Sequence, residues 1–344
     1  MGIILSKPEI YVPETIITNH DLEKLVDTSD EWIVERTGIK ERRISFDLGV
    51  REMGAIASER VLAANDVYGY EISEVIFATN WHDGNKEFPC HAGFVAEKNH
   101  IASAAISDVG GGCTGLVYAL RQAYNNMLAE PKLNKVLVVG GERLTDMTDY
   151  SDRDTCVLFG DAVGAYILER SESEEGIINN FVGGEPDVGD ANWPSGFLSL
   201  EEKIGIKLRD SKFSTEEVDQ NYLIMNGQPV FKFASRVMRH AVHEVLEGTD
   251  YSLEDVDVII PHGANMRIID SADKGLRKKG FKGRIYTNLE RFGNTSTASI
   301  PLAANEAYKK EVIKRGSLVV NVAFGAGFTF GANLYRATHT GQVY

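Results

Sequence analysis

The feature that most limits what this chain can fold into is a weak duplication of its apolar runs. The run Glu74-Val75-Ile76-Phe77-Ala78, preceded by Tyr70-Glu71-Ile72-Ser73, is answered by Val258-Ile259-Ile260 preceded by Tyr251-Ser252-Leu253-Glu254-Asp255. Aligning Val75 with Val258, a spacing of 183 residues, brings a second run, 135–139, close to 317–321. Short β-branched runs of this kind read as buried strands. Patterns of helical period cover 51–65, 116–129, 231–247 and 267–279. Two halves of similar α/β build are expected, one over 1–175 and one over 176–344. The segment 171–226 breaks the pattern, being rich in Gly, Asp, Glu and Pro with no sustained period, and reads as a linker or as a functional loop.

With 344 residues, 43% of them hydrophobic and 25% charged, the chain can bury a sizeable core. A net charge of −14 argues against general binding to nucleic acid or to an anionic membrane. The three cysteines, Cys90, Cys113 and Cys156, form neither a disulfide framework nor a CxxC pair. With no signal peptide or long apolar span, a reduced, cytoplasmic enzyme is expected. His240 and His243 share a helix face but read as a solvated or packing pair, so no metal is expected.

The stretch Ile106-Ser107-Asp108-Val109-Gly110-Gly111-Gly112-Cys113-Thr114-Gly115 delivers a lone cysteine from a strand through glycines into a helix. That is the layout of a nucleophile elbow, in which glycines permit tight backbone turns and keep space open at the sulfur. A helix N-terminus is also expected to lower the thiol pKa. A buried structural cysteine is the competing reading. His262 ends a second apolar strand, and Asn294 stands in a polar loop before a helix. A cysteine, a histidine and an asparagine on loops above a rigid scaffold form a recurrent acyl-transfer constellation.

Over about residues 3 to 336 the sequence resembles the β-ketoacyl-acyl carrier protein synthase III family of the thiolase superfamily. The stretches that carry the likeness are 30–39, the Cys113 elbow, Phe159-Gly160-Asp161, Pro261-His262-Gly263-Ala264-Asn265, Gly293-Asn294-Thr295-Ser296 and Phe324-Gly325-Ala326-Gly327. The resemblance implies a thiolase-like fold, two pseudo-repeated halves in five alternating α and β layers. It implies that an acyl-CoA loads Cys113, with the amides of Cys113 and Ala326 holding the oxyanion. A malonyl thioester, malonyl-acyl carrier protein above all, then loses CO2 and attacks the acyl group, with His262 and Asn294 hydrogen-bonding the nascent enolate.

The same likeness places Phe324 beside the reacting groups and Phe88 in a partner subunit's pocket, hence a homodimer. It puts Trp32, Arg36 and Arg153 on coenzyme A, as substrate rather than as a bound cofactor. Arg267, Lys274 and Arg277, in or near a basic run, are assigned to carrier docking. Packing roles for Phe324 and Trp32, surface ion pairs for the arginines and a solvated helix face for the basic run are the plainer readings.

The chain departs from the family pattern at Gly263, where glutamine is usual, at Gly110 to Gly112, where small alanines are common, and at Ala326, where glycine is usual. A thiolase would need a second cysteine in 323–331, and none is there. A hydroxymethylglutaryl-CoA synthase would need an acid near Asn80, where Asp83 and Glu87 are available. Acyl transfer to an acceptor other than malonate, in secondary metabolism, stays open.

Overall fold

The computed structural model describes residues 2–80, 90–172, 176–186, 198–210 and 214–339. Two sheets are built alike. The first runs Gly2–Leu5, Ala162–Ser171, Lys135–Glu142, Glu74–Ala78, Ala105–Val109, with two antiparallel contacts followed by two parallel ones. The second runs Ile177–Gly184, Thr329–Arg336, Leu318–Gly325, Val258–Pro261, Arg284–Ile285, with the same sequence of directions.

Side chains alternate across each strand, so each sheet has two apolar faces to cover. Ile76, Val136 and Val138 of the first sheet meet Val258, Ile260 and Val319 of the second through a middle layer made by helices Gly115–Ala129 and Ser299–Lys309. The other face of the first sheet, with Val75, Phe77, Leu137 and Val139, packs on helices Val50–Ala64 and His91–Lys98. The outer face of the second, with Ile259, Val320 and Val322, packs on Gly227–Glu244 and Met266–Arg277. The result is the five-layered thiolase fold.

The alternation corrects the alignment of the halves. Val75 faces the outer helices, whereas Val258 faces the middle layer, so matching them would turn one strand inside out. The faces agree when the first match moves by one residue, to a spacing of 184, while the second keeps the spacing of 183. Ile76 then answers to Ile260 and Val138 to Asn321, and these are the residues paired within each sheet. Strands Lys135–Glu142 and Leu318–Gly325 coincide end to end under this alignment.

The segment 171–226 is more structured than its composition implies. Its described residues supply the strand Ile177–Gly184 and a long hairpin of Leu198–Leu208 with Thr215–Met225. That hairpin stands outside the two main sheets, anchored where the Ile206 amide donates to Asp149 Oδ1 at 3.0 Å and Lys203 pairs with Asp149 at 2.9 Å. Its apolar residues are interleaved with charged ones, as in Glu201-Glu202-Lys203-Ile204-Gly205-Ile206-Lys207, which hides it from a search for continuous buried strands.

Ile260→Ala, at a fully buried site of the middle layer, is expected to cost about 2–5 kcal/mol in urea denaturation. Ile204→Ala, on the hairpin and 69% exposed, should change stability by less than about 0.5 kcal/mol.

Candidate active site

Parallel strands send their following loops to one edge, and here the edges of both sheets meet. The strand Ala105–Val109 runs through the glycines into a single turn, Gly112–Thr114, and then into helix Gly115–Ala129, with Cys113 in the turn. From the other half, the end of Leu318–Gly325 lies directly against it. A Cβ on Gly325 would stand 2.4 Å from the Cys113 amide nitrogen, and one on Gly112 (φ +58°) would stand 2.7 Å from that of Ala326. Glycine at both positions is what lets the two backbones touch. Thr329 adds a staple, its hydroxyl donating to the Gly111 carbonyl at 2.8 Å. Gly110, by contrast, faces open space, and a side chain at Gly263 would meet only ordinary contacts.

His262 follows Val258–Pro261 and is buried, with its ring edge-on to Phe324 at 5.2 Å between centroids. Its Nδ1 lies 2.8 Å from Ser299 Oγ, and that hydroxyl is 2.7 Å from the Ser296 carbonyl. A carbonyl can only accept, so the Ser299 proton goes to it and Nδ1–H donates to Ser299. The assigned tautomer leaves Nε2 with a lone pair. Asn294 is fixed through its backbone, its N–H donating to the Leu158 carbonyl at 2.8 Å and its carbonyl accepting from Gly160 N at 3.0 Å. Its Oδ1 accepts from Ser296 N at 2.9 Å, leaving Nδ2 as the donor end.

Cys113, His262, Asn294, Phe324 and Ala326 line one cavity of about 870 Å³. Leu144, Leu200, Leu223 and Met225 give it an apolar wall, so the hairpin missed from the sequence shapes the site. Arg36 and Arg267 also line it and are exposed. The Trp32 ring has the Arg36 guanidinium at 5.5 Å and that of Arg153 at 4.8 Å. Asn265 caps helix Met266–Arg277 and donates to the Arg36 carbonyl at 3.1 Å, tying these two regions together. Lys274 is exposed on the same face of that helix as Arg267, two turns on, while Arg277 is turned to Asp273 at 2.8 Å. Phe88 lies outside the described residues.

Burial sets the electrostatics. The surrounding protein pushes the Cys113 thiol up to about 11, the Ser296 hydroxyl pulling it down and the Glu142 charge adding to the rise. The depressed thiol expected from the helix N-terminus is therefore not found, desolvation being the largest influence on it. Burial also takes His262 down to about 3, against a hydrogen bond to the Ser296 backbone. The resting pair is a neutral thiol and a neutral imidazole. Among the described residues no group of His, Cys, Asp and Glu is arranged to hold a metal ion, and no helix is long and apolar enough to cross a membrane.

Residues 107–185 match the family model described as 3-oxoacyl-[acyl-carrier-protein (ACP)] synthase III, and 246–337 match that of its C-terminal part. The chain is 40% identical to the β-ketoacyl-[acyl-carrier-protein] synthase III of Caldanaerobacter subterraneus subsp. tengcongensis, over 95% of each chain. It belongs to the 3-oxoacyl-[acyl-carrier-protein] synthase III family. The crystal structure of the synthase III from Aquifex aeolicus VF5 superposes with a TM-score of 0.83 at 35% identity, over 97% of this chain and 100% of that one. The priming β-ketosynthase of a polyketide biosynthetic pathway superposes with a TM-score of 0.86 at 27% identity, over 98% and 96%.

Two residues that support the site went unread in the sequence. Glu142 closes the apolar run 135–141 and is fully buried, a signal visible as an acid at the end of a core strand. In the sequence Asn80 is only a landmark, yet its side chain bonds the elbow, with Nδ2 donating to the Gly112 carbonyl at 2.9 Å.

Gly325→Ala should press on the Cys113 amide and slow acyl loading by the worth of one oxyanion donor, about 2.7–4 kcal/mol, in single-turnover mass spectrometry. Alkylation of Cys113 in the free enzyme should keep rising with pH toward about 11. A plateau below neutral pH would show a preformed thiolate.

Proposed function

We propose that this chain is a condensing enzyme in which an acyl-CoA loads Cys113 and a malonyl thioester, carried by acyl carrier protein, is then decarboxylated and joined to it. The products are a 3-oxoacyl thioester, CoA and CO2. The observation that carries the reading is the convergence of Cys113, His262 and Asn294 on one cavity, with the Ala326 loop against the elbow.

In the loading step the neutral Nε2 of His262 takes the Cys113 thiol proton as the sulfur attacks the thioester carbon. The amides of Cys113 and Ala326 receive the charge of the tetrahedral intermediate. On collapse the proton passes to the departing CoA sulfur. In the second step Asn294 Nδ2 donates to the thioester carbonyl as CO2 leaves and enolate charge develops; the enolate carbon attacks the acyl-cysteine, the C–S bond breaks, and the released Cys113 sulfur regains a proton from water. The Nδ1-protonated His262 first has a lone pair to offer here. It joins Asn294 as a donor when its ring proton moves to Nε2 and the Ser299 hydroxyl turns to Nδ1.

Arg36 lines the cavity, and with the Trp32 ring and Arg153 stacked beside it offers a ring and two cations for the nucleotide part of CoA. Arg267 and Lys274 are exposed cations on one helix face, with Asp270 between them, in a chain of net charge −14, and are suited to steering an acidic carrier. Arg277, paired with Asp273, contributes less. A homodimer fits the strand Ala105–Val109, an edge of its sheet among the described residues, which exposes Ile106 just ahead of the elbow. A cytoplasmic location fits the free cysteines. A starter unit of secondary metabolism is a second reading, favoured by the likeness to the priming β-ketosynthase of a polyketide pathway.

Asn294→Ala is expected to keep acyl loading within about tenfold while decarboxylation falls by about 10²–10³, the worth of one positioned donor. Single-turnover loading paired with CO2 release reads the two steps apart. Equal loss of both would make Asn294 a structural residue.

A further inference from the structure

Glu142 is a fully buried acid that the proposed chemistry does not use. Its Oε2 accepts from Thr79 Oγ1 at 3.0 Å and from the Asn80 amide at 3.1 Å. Its Oε1 accepts from Asn80 Nδ2 at 2.6 Å and from Thr297 Oγ1 at 2.9 Å. These partners are all neutral, and burial raises the carboxyl to about 7. An acid in such a place is costly, so a plain core strand would end on an apolar residue.

Its partners explain its position. Asn80, bound twice to Glu142, brackets the elbow: Nδ2 donates to the Gly112 carbonyl at 2.9 Å, and Oδ1 accepts from Gly111 N at 3.3 Å. Thr297 belongs to the other half and directly follows Ser296, whose amide holds the Asn294 side chain. One carboxylate thus joins the loop under the nucleophile to the loop under the enolate donor. The internal duplication gives the same strand end a matching task. Glu142 answers to Gly325, which touches the Cys113 amide directly.

We propose that Glu142 is a positioning residue for condensation, setting the Cys113 elbow through Asn80 and the Asn294 loop through Thr297, so that the two reacting centres keep one fixed separation. It acts through these neighbours and, being enclosed, touches no substrate. The roles of Cys113 and Asn294 are those of the proposed function, on which this inference rests.

Glu142→Gln keeps the shape but turns one acceptor into a donor that faces other donors. It should lower kcat for acyl loading by at least about tenfold with the acyl-CoA KM within about twofold, since a misplacement of about 1 Å can cost on the order of 100-fold. Asn80→Ala, at an exposed position that leaves Glu142 buried, should reproduce the kcat loss and decides the matter if the glutamine variant does not fold. Thr297→Val should slow CO2 release more than loading. Hydrogen exchange at residues 111–114 needs no acyl donor and should speed up in Asn80→Ala and Glu142→Gln. Faster exchange in a protein that no acyl-CoA loads would keep the clamp and reject the condensing reaction. Folded Asn80→Ala with unchanged kcat, or with unchanged exchange, overturns the proposal.

Discussion

Everything at the site depends on two backbones in contact. The end of Leu318–Gly325 rests on the Cys113 turn with no side chain between them, because Gly112 and Gly325 stand where any Cβ would collide. That contact brings the backbone of Ala326 against the Cys113 turn, the closeness that the proposed pair of oxyanion donors needs. It also joins the halves, since Cys113 comes from the first sheet's loops and Ala326 from the second's. The methyl of Ala326 leaves this intact because the donor is the backbone N–H, and because Gly112 opposite it leaves room for that backbone.

Enclosure then dictates how the groups work. Inside the protein neither the thiolate nor the imidazolium is supported, so Cys113 rises to about 11 and His262 falls to about 3. In the proposed function this neutral pair acts by passing one proton during the reaction. The Ser299 and Ser296 hydrogen bonds make His262 ready to receive it. The nearby Glu142 holds the thiol protonated more firmly, which fits a nucleophile released only when substrate and base are in place.

Much of this was legible in the chain. Cys113 and His262 each sit where a strand runs out into a polar or glycine-rich loop, positions that gather at one edge of a parallel sheet, and Asn294 stands in the polar loop after the short helix Leu289–Phe292. The duplication was visible too, but its register was one residue out. Apolar identity is similar on both faces of a doubly buried strand, so only packing distinguishes Val75 from Ile76. The hairpin through 198–225 was hidden because a half-solvated arm carries charge on its free face. The thiol's direction of shift was misjudged because a helix terminus can be read from sequence, whereas the protein packed around the sulfur cannot. Asn80 and Glu142 work through bonds between segments 62 residues apart, which no local pattern announces.

The most direct test follows the acyl group. The protein is exposed to a panel of acyl-CoAs, digested and weighed, and malonyl-acyl carrier protein is then added. The account predicts an acyl mass on the peptide bearing Cys113 that disappears on that addition, with one CO2 released for each acyl group lost. An acyl group on Cys90 or Cys156, or one that leaves Cys113 for the carrier without release of CO2, would contradict it.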